Sequence, residues 1–437
     1  MTSFYGSSFE QLCLSLSNIF RKRTAKKWLV LALGWVFQVG RKTTAGIVRG
    51  AGSLAKKHYA SYSRFFNTKS WRPEAFWKIV FKTVREVIEE KQLIVAVDDT
   101  CVAKSGRKIA ATGWFLESNG AYYQNATYVW GQSWVVLSVV AHNPFGFEKT
   151  WSFPIGMRLF VPKKDCPEGT YKTKLELAHE MLAARARWSE RRIIAVADRL
   201  YAGGPFLAGL PEKVDVIVRM KRNAKQFDLP GVNSGVGRPR KKGERLPSPV
   251  EMAEDKEGWR TKKVRLYGEE KEIRIKTRLA LWYYVTGPRV GKVVIMKEPE
   301  AKRWAVFYST DSQLEDKEII QLYSRRWALE ITFRDAKQYG GFKDAQCQKK
   351  EAVKRQGIFN LGLMSLVQCW FVEQKEEIQN QLKRNEWEDY QAPPSFQIML
   401  QTLRWYMRKK QFSQKWGQTP YSGKKVDEFF DEIARAA

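Results

Sequence analysis

The sequence predicts an α/β fold in which a mixed sheet is flanked by helices, interrupted by an all-β insertion and bounded by helical regions at both ends. Three observations indicate this class. Apolar runs of strand length occupy residues 93–97, 193–197 and 214–218. Residues 172–188, between the first two runs, have the apolar spacing of a helix. Residues 262–309 contain five further strand-like stretches in succession.

The order of the elements narrows the fold class. Two longer strands are predicted at 128–141 and 151–161, and the turn-forming residues between them favour an antiparallel pair. A short helix fits the gap before the strand at 214–218. Three strands, a helix, a strand, a helix and a strand is the order of a ribonuclease H-like core.

The charge of the chain indicates a polyanionic partner. Its 437 residues include 76 Lys and Arg against 46 Asp and Glu, which gives a formal net charge of +30. In residues 1–75 the basic side chains alternate with aromatic ones, a pattern typical of a small helical DNA-binding region. A solvated helical face is an equally good interpretation of the same pattern.

These features predict five regions. We expect a helical, basic DNA-binding region at 1–88, the first part of the core at 89–222, the insertion at 223–310, the second part of the core at 311–345 and a helical region at 346–437. The insertion strands are predicted at 262–266, 272–276, 279–286, 292–297 and 304–309, and the later helices at 317–339, 351–379 and 395–415.

Composition argues against two other classes of protein. The most membrane-like stretch, residues 28–37, is well below the ~20 apolar residues of a membrane-spanning helix, so we predict a buried helix and no membrane association. The five cysteines are odd in number and widely spaced, which fits free thiols in a reducing compartment rather than a disulfide scaffold. We therefore expect a cytoplasmic, nucleoid-associated protein.

Three carboxylates carry the predicted chemistry. Asp99 and Asp198 each follow an apolar strand, where a side chain can project from the sheet edge, and Glu330 lies on the predicted helix at 317–339. Such carboxylates can hold two divalent metal ions about 4 Å apart, the arrangement that activates water in phosphoryl transfer. An Asp at a strand end also commonly caps a helix or forms a turn, and spacing alone does not separate these interpretations.

The predicted helix around Glu330 concentrates four functional groups. In a continuous helix, Tyr323, Arg326, Glu330 and Lys337 would lie within one stripe. Arg326 and Lys337 would bind phosphates flanking the reacting bond, and Tyr323 would contact a phosphate or a sugar. A surface helix with an ion pair between Arg326 and Glu330 is the alternative.

The spacing Tyr-x2-Arg-x3-Glu-x6-Lys resembles the signature of one group of DDE transposases of bacterial insertion sequences. The sequence Ile-Val-Ala-Val-Asp-Asp-Thr at 94–100 is similar to the family's first Asp motif, and Val-Ala-Asp-Arg at 196–199 to its second. The resemblance implies an RNase H-like catalytic domain with a β-strand insertion, and Asp99, Asp198 and Glu330 as its metal-binding catalytic residues.

The resemblance also implies cofactors and partners. Two Mg²⁺ ions, for which Mn²⁺ could substitute, would support cleavage of double-stranded DNA at the terminal inverted repeats of a transposon and joining of those ends to target DNA. A homodimer on paired ends is implied as well. An RNase H-like endonuclease without strand transfer and a catalytically silent, transposase-derived DNA-binding protein are the alternatives.

Individual residues complete the prediction. Asp98 and Asp99 should point to opposite sides of their strand, and the resemblance selects Asp99 as the metal ligand because the family's ligand directly precedes Thr. Trp304 resembles an insertion-domain Trp that stacks on a flipped base, although a core position is an equal interpretation. Arg238 and Arg240, in a Gly-Arg-Pro-Arg segment, are predicted to contact DNA.

Overall fold

The computed structural model describes residues 8–67, 71–106, 108–117, 127–231, 240–298, 304–382 and 393–416. The chain divides into two compact units. The first comprises Met1–Ile88, Val102–Ala110 and Phe333–Ala437, and the second comprises Glu89–Cys101 and Ala111–Thr332. Within the described ranges, no helix is both long and apolar enough to span a bilayer. The division into five regions stays a prediction.

Helices occupy much of the chain outside the sheet. In chain order they are α1 (Ser8–Ser17), α2 (Lys22–Phe37), α3 (Thr44–Gly50), α4 (Tyr59–Asn67), α5 (Pro73–Val87), α6 (Lys174–Trp188), α7 (Gly204–Leu207), α8 (Pro249–Glu254), α9 (Tyr283–Thr286), α10 (Asp316–Ser324), α11 (Trp327–Gln338), α12 (Lys350–Glu373), α13 (Lys375–Leu382) and α14 (Phe396–Trp416). Local sequence sets several of these boundaries. Pro73 opens α5, where its missing N–H has no helical partner to lose. Thr173 and Glu176 form a capping box that starts α6.

An aromatic core holds the helices of the first unit together. Trp28 of α2 packs against Phe76 of α5 and Phe359 of α12, with ring centroids 5.6 Å apart in both pairs. Helix α12 is buried along most of its length and contacts α1, α4, α5 and α14. The stretch at 28–37 lies in α2 and is largely buried, as the sequence predicts.

The strands of the described residues form one mixed sheet. They are β1 (Leu93–Ala103), β2 (Gly113–Glu117), β3 (Thr127–His142), β4 (Thr150–Leu159), β5 (Ile193–Ala197), β6 (Val214–Arg219), β7 (Gln226–Phe227), β8 (Arg245–Leu246), β9 (Arg260–Leu266), β10 (Glu269–Leu281), β11 (Val290–Lys297) and β12 (Trp304–Ser309). Their order is β2-β3-β1-β5-β6-β12-β11-β10-β7-β8, with β4 paired to β3 and β9 paired to β10.

The centre of the sheet has the predicted core topology. Strands β1, β5 and β6 are parallel, and their near-continuous apolar runs suit strands that are covered on both faces. Strands β3 and β4 form the predicted antiparallel pair. Helix α6 packs against β3 and β4, and α10 packs against β5, β6 and β12. The sheet with its flanking helices is therefore the RNase H-like α/β fold that the sequence predicts.

The strands of the predicted insertion extend this sheet through the pairing of β12 with β6. The strand predicted at 272–276 and the start of the one at 279–286 form the single strand β10, whereas the end of the latter is helix α9. This part of the prediction is wrong because a short apolar run suits either a strand or one helical turn. Helix α8 also interrupts the strands and begins at a capping box of Ser248 and Glu251.

Candidate active site

The parallel pairing of β1 and β5 brings two aspartates side by side. The register joins Val97 to Ala197, so Asp98 and Asp198 are the next residues along the two strands. Matching positions of neighbouring strands place their side chains on the same side of a sheet, whereas consecutive side chains alternate. Asp98 and Asp198 therefore project to one side, and Asp99 projects to the other.

Strand β1 is longer than the sequence predicts. The polar residues after 93–97 are expected to stop it, but it continues to Ala103 with Thr100 and Val102 buried. Beyond the apolar run the buried and partly exposed residues alternate, so the strand persists although the run of apolar residues has ended. The two aspartates consequently lie within a continuous strand, which holds their backbone rigidly.

The predicted helix at 317–339 is interrupted. Helix α10 ends at Ser324, a two-residue turn follows, and α11 begins at Trp327. In this turn the backbone N–H of Arg326 donates to the carbonyl of Tyr323 at 3.1 Å, a spacing of three residues that winds more tightly than an α-helix. The prediction of one continuous helix is therefore wrong at this turn. Tyr323, Arg326 and Glu330 still lie next to one another, because the Arg326 guanidinium lies 5.9 Å from the ring centre of Tyr323 and donates to Glu330. Lys337 lies near the end of α11.

Arg326 links two of the carboxylates. Its Nη1 donates to Oδ2 of Asp98, and its Nη2 donates to Oε1 of Glu330 at 2.8 Å. Burial disfavours the charge on Arg326, yet the neighbouring Asp98, Tyr323, Glu330 and Asp198 together raise its pKa above the ordinary value. One largely buried guanidinium thus lies within the field of three carboxylates from β1, the end of β5 and α11.

Asp98 is the most perturbed carboxylate of this cluster. Burial raises its pKa to about 7, against the lowering effect of Arg326, and the charges of Asp99 and Asp198 add to the rise. Its Oδ1 accepts a 2.8 Å hydrogen bond from the backbone N–H of Asp99. Strong perturbation by burial and specific charge partners is common at functional sites.

Asp99 is held by a different set of partners. Its Oδ2 accepts from Nζ of Lys174 at 2.5 Å and from Oγ of Ser133 at 3.5 Å, and its Oδ1 accepts from the hydroxyl of Tyr201 at 3.4 Å. The choice of Asp99 as the metal ligand comes from the sequence and stays a prediction. The contacts favour Asp98, because Asp98 shares a side of the sheet with Asp198 and shares Arg326 with Glu330.

Lys174 and Tyr201 are not among the site residues that the sequence predicts. Tyr201 closes the short 3₁₀ helix Arg199–Tyr201, which Asp198 caps, and its hydroxyl is fully buried. Burial and the nearby Asp99, Asp98 and Asp198 raise the pKa of Tyr201 well above its ordinary value, so it stays a neutral donor. The capping box before α6 could have placed Lys174 at a helix start, but only the tertiary fold brings it to Asp99.

The predicted DNA-contacting residues have varied surroundings. Tyr323 is largely buried, and burial raises its pKa to about 12. Trp304 begins β12 with Arg222 stacked 4.4 Å from its ring centre. Arg240 is exposed, and Arg238 lies outside the described residues.

The carboxylates match the chemistry of a divalent metal site, although they are not arranged as a finished one. Among the described residues, no three His, Cys, Asp or Glu side chains converge closely enough to hold a metal ion as they stand. Asp98, Asp198 and Glu330 nevertheless offer the oxygen ligands that Mg²⁺ prefers. The positive charge between Asp98 and Glu330 is supplied by Arg326, so a metal ion there would require the guanidinium to move.

The sheet and its flanking helices define the RNase H-like fold class. The model of the DDE superfamily endonuclease family matches residues 15–285, and the chain belongs to this family. The comparison with curated proteins finds no match. The matched residues include both aspartates of β1 and Asp198 and end before Glu330. The assignment of Glu330 therefore depends on its spacing and on its contact with Arg326.

Proposed function

We propose that the protein is a DNA transposase that cleaves transposon ends and transfers them into target DNA. The observation that carries this proposal is the cluster of Asp98, Asp198 and Glu330 around Arg326, in a chain of an endonuclease family. The Tyr-x2-Arg-x3-Glu-x6-Lys spacing is the reason to prefer a transposase to an endonuclease that does not transfer strands.

Two Mg²⁺ ions are the proposed cofactors, with Mn²⁺ as a substitute. Asp198, Glu330 and one aspartate of β1 would hold them, and bound metal would supply activation of the attacking hydroxyl group and stabilisation of charge on the phosphate. We favour Asp98 for the third ligand. Asp99, anchored by Lys174, would instead keep the strand and the turn after Asp198 in place.

The DNA contacts are proposed around this cluster. Arg326 and Lys337 would bind phosphates on either side of the reacting bond, since a guanidinium binds phosphate through paired hydrogen bonds. Tyr323 would add a hydrogen bond to the backbone of the DNA. Trp304 and the segment with Arg238 and Arg240 would contact DNA from the insertion. A homodimer would hold the two terminal repeats together.

Cleavage and joining test the proposal separately. The substrate is labelled DNA that carries the repeats flanking the gene, incubated with Mg²⁺ or EDTA. We expect wild-type protein and the exposed control Glu254→Gln to nick the repeat end only with metal, and Glu330→Gln to leave the DNA intact. Insertion of the cleaved end into a plasmid supports a transposase, and cleavage without insertion supports an endonuclease. Tight, salt-sensitive binding without cleavage would support a silent DNA-binding protein.

A further inference from the structure

Two consecutive arginines form the turn between α10 and α11, and they bind different partners. Arg326 reaches the carboxylate cluster. Arg325 instead reaches Glu90, three residues before β1, and His142, the last residue of β3. The turn that carries Arg326 is therefore tied through its other arginine to the segment before β1 and to the end of β3.

The guanidinium of Arg325 is held by two acceptors. Its Nη1 donates to Oε1 of Glu90 at 3.4 Å, and its Nη2 donates to Nε2 of His142 at 2.6 Å. Only 18% of the Arg325 side chain and 25% of the Glu90 side chain are exposed. A planar guanidinium donates in a fixed fork, so two partners hold it in one orientation.

The contact with His142 requires a neutral imidazole. Arginine stays protonated in proteins and has no acceptor, so Nε2 of His142 must accept the hydrogen bond. Burial and the positive charge of Arg325 lower the pKa of His142, and Glu90 opposes this shift. The ring is therefore neutral at pH 8, and its acceptor is available to Arg325.

Glu90 is itself held from two sides. Its Oε1 also accepts from the backbone N–H of His142 at 3.0 Å, and its backbone carbonyl accepts from Nη1 of Arg191 at 3.3 Å. We call Glu90, His142 and Arg325 together the Arg325 clamp. Because Asp98 lies on β1, which Glu90 closely precedes, the clamp fixes the turn relative to the strand whose carboxylate Arg326 binds.

We propose that the Arg325 clamp positions Arg326 between Asp98 and Glu330 for the reaction. The inference rests on the proposed function, because it assigns the clamp a role at that site. Consecutive Cα atoms are about 3.8 Å apart across a rigid peptide unit, so a shift of Arg325 moves Arg326 with it. A displacement of about 1 Å at a catalytic site costs up to about 100-fold in rate. Arg325 is therefore a positioning residue that acts through its neighbour.

A double-mutant cycle without DNA or metal tests the clamp. Burial raises the pKa of Asp98 and Arg326 opposes this rise, so displacing Arg326 should make Asp98→Asn more stabilising. Urea unfolding at pH 8 in EDTA measures that effect in the wild type, in Arg325→Lys and in His142→Leu. Neither background changes the charge of the protein. We expect the effect of Asp98→Asn on the folding equilibrium constant to grow by about 5- to 10-fold in both, whereas sites that share no partner add to within about twofold.

Three other variants show whether the effect runs through the clamp. His142→Gln keeps an uncharged acceptor and should restore the wild-type value. Arg158→Lys is the matched control, since Arg158 of β4 is also partly buried and donates to Glu180 of α6 at 3.2 Å. This control should stay within about twofold of the wild type. When Arg326 is replaced by Met, the clamp variants should no longer alter the effect of the Asn substitution.

Four results would overturn the proposal. The first is an effect of Asp98→Asn that stays within about twofold of the wild-type value in either Arg325→Lys or His142→Leu. The second is an equal change in the Arg158→Lys control. The third is a His142→Gln protein that behaves like His142→Leu. The fourth is an undiminished coupling after Arg326→Met.

The outcome for the clamp can be distinguished from the outcome for the transposase activity. In a protein that cleaves repeat-end DNA, Arg325→Lys should lower the single-turnover rate at saturating Mg²⁺ by about 10- to 100-fold, and His142→Gln should keep it within about twofold. Coupling in a protein that never cleaves DNA would support the clamp and contradict the proposed function. Cleavage by Arg325→Lys at the wild-type rate would do the reverse.

Discussion

Replacing Asp98 by Asn is predicted to stabilise the folded protein while abolishing cleavage. Only 18% of the Asp98 side chain is exposed. Burial raises its pKa to about 7, with Arg326 opposing the shift and Asp99 and Asp198 adding to it. The folded protein therefore favours the neutral carboxyl group, whereas the unfolded chain, with a pKa near 3.8, favours the ionised one. Asn has the shape of the neutral group and has no charge to bury.

The size of the effect follows from the pKa shift. The shift is about three pH units, and each unit is worth about 1.4 kcal/mol. The folded state binds the proton of Asp98 more tightly than the unfolded chain does. The stabilisation of the wild type by this proton is therefore complete below about pH 4 and is lost as the pH rises to about 7. The lowering effect of Arg326 is already contained in this shift. We expect a gain of about 4 kcal/mol at pH 8 and almost none at pH 4.

Urea unfolding followed by tryptophan fluorescence measures the difference. The wild type, Asp98→Asn and the exposed control Asp228→Asn are compared at pH 5 and pH 8 in EDTA. The difference between Asp98→Asn and the wild type should grow with pH, and the control should follow the wild type at both values. A variant less stable than the wild type by the same amount at both pH values would refute the description of Asp98 as a buried, unfavourably ionised carboxylate.

Three further predictions concern other contacts. Lys174→Met should lower the free energy of unfolding by about 2 kcal/mol, because it leaves Asp99 without its ammonium partner. Lys174→Arg should recover part of this loss. Urea unfolding at pH 7 measures both variants. Gly362→Ala should destabilise by about 1–3 kcal/mol, because a Cβ would lie 2.3 Å from Phe76, and an unchanged or higher melting temperature would contradict this packing. Burial lowers the pKa of Lys42 to about 7. Between pH 7 and pH 10 only the unfolded chain keeps the proton on Lys42, so the free energy of unfolding should rise by about 4 kcal/mol over this range. A Lys42→Met variant whose stability has the same pH profile as that of the wild type would contradict this prediction.

The parts of the fold that depend on local pattern are predictable from the sequence. The apolar runs that form β5 and β6 are continuous because both strands are buried on both faces, and the pair β3 and β4 is separated by evident turn residues. The continuation of β1 past Asp98 escapes prediction because alternation replaces the apolar run there. The break after Ser324 escapes prediction because the helical spacing continues across it.

The parts of the site that depend on tertiary contacts are not predictable in this way. The contact of Lys174 with Asp99 joins residues 75 positions apart, and nothing in the spacing of α6 indicates it. The selection between Asp98 and Asp99 requires the register of β1 against β5.

The most direct test of the proposed active site is cleavage of repeat-end DNA in the presence of Mg²⁺. The wild type is compared with Asp98→Asn, Asp99→Asn and Glu330→Gln. The three changes each remove one negative charge with little change in shape. The carboxylate cluster predicts no detectable cleavage by Asp98→Asn and Glu330→Gln, and reduced but measurable cleavage by Asp99→Asn. Full activity of Glu330→Gln, or an active Asp98→Asn beside an inactive Asp99→Asn, would contradict it.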